Sequence, residues 1–71
     1  PEEGDSLLNE EFLILKRKAD AGEAEAQFQV GLRYRGGKGV GQSYASALRY
    51  FTLSAERGHP GAQTALAMQY E

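Results

Sequence analysis

Residues 22–34 read GEAEAQFQVGLRY, and residues 58–70 read GHPGAQTALAMQY. Laid over each other, they place Gly22 on Gly58, Ala26 on Ala62, Gln27 on Gln63, Val30 on Leu66, Gly31 on Ala67 and Tyr34 on Tyr70. The same offset of 36 residues carries Phe12 onto Leu48, Leu15 onto Phe51 and Ala19 onto Ala55. The coincidences fall on apolar, small and glycine positions. The differences fall on residue types that ordinarily face solvent. Self-similarity sorted by physical role is the mark of a repeat whose units stack to bury a shared core.

Between the glycines the apolar spacing is helical. Gln27, Val30, Gly31 and Tyr34 form one stripe, and Tyr44, Ala47, Leu48, Phe51 and Ala55 form another. Both follow i, i+3, i+4, i+7, not the period of two of a strand. Gly22, Gly36 and Gly58 stand where a left-handed residue ends a helix. Arg33 and Arg35 precede Gly36, as the negative end of a helix favours. Ser43 suits an N-cap, and Pro60 suits a first helical position with His59 as its cap residue.

The expected fold is therefore all-α, an α/α solenoid of antiparallel helix pairs with about four helices, near residues 5–21, 23–35, 43–57 and 60–71. Residues 1–4 read as an acidic tail and 5–21 as a leading or capping helix. Residues 22–57 read as one complete repeat, and 58–71 as the first half of a following one. Gly31 costs roughly 1 kcal/mol against alanine inside a helix. It is tolerable where a neighbouring helix comes close, and the small Ala47 and Ala55 of the next helix suggest such an approach.

Composition narrows the functional classes. With 8 basic and 10 acidic residues and no polybasic tract, the 71-residue chain has little to neutralise phosphates, so no nucleic acid is expected as a partner. No apolar run approaches the roughly 18 residues of a membrane span. The absence of cysteine removes disulfides, thiol catalysis and cysteine–zinc sites.

The residues Ala24, Ala26, Gln27, Val30, Gly31 and Tyr34, then Gly37, Gly39, Val40 and Gln42, then Tyr44, Ala47, Phe51, Ala55 and Gly58 resemble Sel1-like repeats, relatives of the tetratricopeptide repeats. First helix, glycine loop and second helix match in order. Ser43 departs from the aspartate frequent in that family, and Glu11 falls on the small Ala47 position. The resemblance implies stacked helix pairs that scaffold partner proteins on a concave face. Members occur in several compartments, so no localisation follows.

On that implied face lie Glu25, Phe28, Leu32 and Arg35, with Thr64 and Met68 as the repeat mates of Phe28 and Leu32. An apolar pair flanked by opposite charges suits a peptide or partner helix. Arg33, Arg35, Lys38 and Arg49 read first as solubilising and helix-end charges, with an acidic partner segment as the alternative. The run Phe12-Leu13-Ile14-Leu15 cannot face a single core from one helix. With Leu7, the residues Leu13 and Ile14 are expected to meet either an upstream helix or another subunit. Homo-oligomerisation through the unfinished ends of the repeat is thus the alternative function.

Catalysis is not expected. The segment Gly36–Ser43 imitates a phosphate loop, but Gln42 stands where a lysine should meet the phosphates, and a helix precedes it where a strand is needed. It reads as a tight helix–helix connection with Val40 tucked into the core. His59, the only histidine, has Gln63 at i+4 and no carboxylate at i+3 or i+4. The chain shows no nucleophile–base pair, no metal cluster and no cofactor motif, so no cofactor is expected.

Overall fold

A computed structural model describes residues 2–70, and the side chains of residues 10–69. It contains α1 (Glu2–Asp20), α2 (Ala24–Gly36), α3 (Tyr44–Glu56) and α4 (Pro60–Tyr70), and no strand among the described residues. α1 begins at Glu2, so residues 2–4 form its first turn and not the tail expected of them. An acidic sequence suits the positive end of a helix.

The helix ends follow local chemistry. Ser43 caps α3, its hydroxyl accepting from the Ser46 amide at 3.1 Å. His59 caps α4 through its ring, with Nδ1 accepting from the Ala62 amide at 3.1 Å. α2 runs one residue further than expected: Gly36 is helical, and Gly37 takes the left-handed turn at φ 68°. Only a residue without a Cβ makes that turn at little cost.

Two of the turns carry the same hydrogen bonds at positions 36 residues apart. After α1, the Gly22 amide donates to Ala19 at 3.0 Å and the Glu23 amide to Lys18 at 3.1 Å. After α3, the Gly58 amide donates to Ala55 at 2.9 Å and the His59 amide to Ser54 at 3.2 Å. This is the double bond of a Schellman end, which satisfies carbonyls that the helix itself leaves open. A glutamine from the next helix joins each turn. Gln27 Nε2 donates to the Ala19 carbonyl at 3.1 Å, and Gln63 Nε2 to the Ala55 carbonyl at 3.4 Å.

Each helix packs on its neighbour in sequence: α1 on α2, α2 on α3, α3 on α4. One apolar cluster joins Phe12, Ala19, Ala26, Val30 and Tyr50, with Leu15, Tyr34 and Val40 against it. A second joins Ala47, Phe51 and Ala65, with Phe28, Leu32, Tyr34 and Leu66 against it. Tyr34 belongs to both. Its ring meets Phe12 edge-on at 5.4 Å and stacks on Tyr50 at 5.9 Å. Such pairs add about 0.5–1.5 kcal/mol each beyond the area they bury.

At Gly31 the nearest neighbour is an aromatic ring. A Cβ built there would lie 2.5 Å from Phe51 Cε1 and 2.6 Å from Cδ1. Phe51 is fully buried as a result. Burying such a side chain contributes about 1.5–3 kcal/mol, which outweighs the roughly 1 kcal/mol helix penalty of glycine.

Candidate functional site

α3 and α4 run antiparallel, so the first turn of α3 meets the last turn of α4. Gln69 Nε2 fastens that end by donating to the Tyr44 carbonyl at 3.0 Å. Beside the fastening opens a groove of about 500 Å³, lined by Arg35, Tyr44, Leu48, Met68 and Gln69. Its lining is mostly apolar. Tyr44 and Met68 are 60% and 63% exposed, large values for side chains of this kind. Gln69 Oε1 is shielded from solvent and has no partner.

Arg35 supplies the charge. It stands in the last turn of α2, and its guanidinium carbon lies 5.6 Å from the centre of the Phe51 ring. The ring quadrupole attracts a cation set over its face and so helps to orient the guanidinium. The arrangement offers an apolar trough with a fixed positive charge beside it.

The residues expected on the binding face divide. Arg35 and Met68 come together in this groove. Leu32 is half-buried against the second cluster, and Thr64 is exposed. Phe28 is half-buried, stacked on the His59 ring at 4.7 Å and set against Phe51 at 6.0 Å. Glu25 is engaged with Gln29 at 2.9 Å and with His59 Nε2 at 2.6 Å. The hydrogen bond from Gln29, then that from His59, holds its carboxyl below the usual range. Since Nδ1 of His59 accepts the cap bond, its proton belongs on Nε2, aimed at Glu25.

Sequence reasoning missed Tyr44, Leu48 and Gln69 as groove residues. It placed Tyr44 and Leu48 on the inward stripe of α3, whereas Tyr44 is largely exposed and Leu48 half-buried. The available signal was the antiparallel return of α4, which sets the apolar start of one helix beside the apolar end of the next. The carboxylate partner of His59 was also missed, because Glu25 lies 34 residues away.

The glycine loop closes α2. Gln42 Nε2 donates to the Arg35 carbonyl at 2.8 Å, the Ser43 amide to Tyr34 at 2.9 Å and the Lys38 amide to Arg33 at 3.0 Å. The side chain standing where a phosphate-binding lysine would be is spent on a helix end. Val40 packs on the first cluster.

A second apolar surface lies on α1. Phe12 is buried and Leu15 half-buried, while Leu13 and Ile14 are 55% and 56% exposed. These two line a shallow hollow of about 260 Å³ with Glu10 and Arg17. Leu7 falls outside the described side chains. No helix of the described residues is long and apolar enough to cross a membrane.

Comparison with protein-family models, with curated proteins and with solved structures finds no match for this chain.

Proposed function

We propose that the chain is an α-helical repeat module, of the Sel1-like and tetratricopeptide kind, that holds a partner protein or peptide and carries out no catalysis. The observation that carries this reading is the groove where Arg35, Tyr44, Leu48 and Met68 converge. Exposed aromatic and thioether side chains beside an oriented guanidinium make a binding hot spot of ordinary composition. The fitting ligand is a peptide with a bulky apolar residue and a carboxylate close to it. The repeat reading is supported by the hydrogen bonds that recur at the two Schellman turns, with Gln27 and Gln63 in the same role.

The test is a displayed-peptide selection on the wild-type chain, with Met68→Glu as the counter-selecting surface. Sequences pairing an acidic with a bulky apolar residue are the expected winners. A selection that enriches nothing over the variant sinks the proposal.

A further inference from the structure

The exposed face of α1 reads Glu10, Leu13, Ile14, Arg17, an i, i+3, i+4, i+7 stripe with one charge sign at each end and two apolar residues between. Such a stripe is its own complement when a second helix lies antiparallel to it. A two-fold axis passing between Leu13 and Ile14 sets Leu13 against Ile14 of the second copy, and Glu10 against Arg17 of the second copy. The axis repeats both contacts, as an isologous interface requires. A parallel arrangement would instead set Glu10 on Glu10 and Arg17 on Arg17. Among the described residues neither Glu10 nor Arg17 has an ion-pair partner within the chain.

The geometry points to a homodimer of this chain through an antiparallel α1–α1 seam, with Leu13 and Ile14 at its centre and reciprocal Glu10–Arg17 ion pairs at its ends. The hollow between the four side chains receives the apolar side chains of the second copy. The surface is distinct from the groove at Arg35 and Met68, so a dimer keeps both grooves open. A single helix face is smaller than the roughly 800 Å² per partner of a standard interface, so the dimer is a weak one. Its specificity lies in the charge order, which penalises the parallel alternative.

Charge reversal separates this arrangement from every other occupant of the face. Glu10→Arg alone and Arg17→Glu alone each turn both end pairs repulsive, and should weaken association by roughly tenfold or more. In an equimolar mixture of the two variants, one partner carries two cations along the seam and the other two anions. Both end pairs are then attractive again, and the mixture should associate as a heterodimer. Both positions are exposed, and circular dichroism of each variant checks that the helix is kept. Sedimentation of the whole chain reads the result, with Ile14→Ser as an uncharged variant expected to remain monomeric. A wild-type chain that stays monomeric at about 1 mM overturns the proposal. So does a mixture that fails to recover association, or a dimer indifferent to Ile14→Ser.

Discussion

The ring of Phe51 occupies the space that a side chain on Gly31 would need: a Cβ there would fall 2.5 Å from Phe51 Cε1. This contact sets how closely α2 and α3 approach, and with it the position of Arg35 one helical turn further along α2.

Gly31→Ala should therefore destabilise the chain although alanine is the better helix former. The overlap costs about 1–3 kcal/mol against a propensity gain of roughly 1 kcal/mol. Combining it with Phe51→Leu should cost less than the two single changes added together, because they share one volume. Urea denaturation of the four proteins measures this. Strict additivity would mean that the ring and the glycine do not set the helix spacing.

Phe28→Ala with Leu32→Ala should lower stability, not only binding. Both side chains are half-buried against the second cluster, and Phe28 also supports the His59 ring. Truncations of this kind cost about 2–5 kcal/mol each when the site is well packed. Thermal unfolding followed by circular dichroism should show a large drop in midpoint. An unchanged midpoint would return these residues to the binding surface that the sequence suggested.

The two repeat-related glutamines should differ in weight. Gln27 is buried and its bond to Ala19 is short; Gln63 is exposed and its bond to Ala55 is longer. Gln27→Ala should cost about 1 kcal/mol or more. Gln63→Ala should stay within about 0.5 kcal/mol, as exposed substitutions do. Equal losses in denaturant titrations would contradict this difference in burial.

Acid should weaken the tie between α2 and α4. The Glu25 carboxyl is held below its usual range by Gln29 and then His59, so the unfolded chain binds its proton more readily than the folded one. Stability from this group is complete above the ordinary glutamate value of about 4.3 and is lost as pH falls through the lower folded value. Glu25→Gln should remove that component and flatten the acid limb of a melting-temperature profile. A profile of unchanged steepness would mean that the carboxylate contributes nothing there.

The helices, the Ser43 cap, the start at Pro60 and the turns at Gly22 and Gly58 were legible in the sequence because each is set by a few neighbouring residues. The faces were less so. Leu13 and Ile14 stood out because four apolar residues in a row exceed what one helix can bury. Tyr44 fitted the inward stripe by spacing, yet its outward placement depends on where α4 returns, decided by contacts such as Gln69 with Tyr44 across 25 residues. Glu25 with His59 is a still longer relationship. Phe51 as the neighbour of Gly31 was within reach, since the spacing already set it on the stripe of α3 that faces inward.

The groove at Arg35 and Met68 is the proposed protein-binding site. Its most direct test is the affinity of a peptide selected on the wild-type chain, measured side by side on wild type, Met68→Glu and Ile14→Glu. At least a tenfold loss, about 1.4 kcal/mol, is expected for Met68→Glu, and no change for Ile14→Glu, which lies outside the groove. Equal affinity for wild type and Met68→Glu would contradict it.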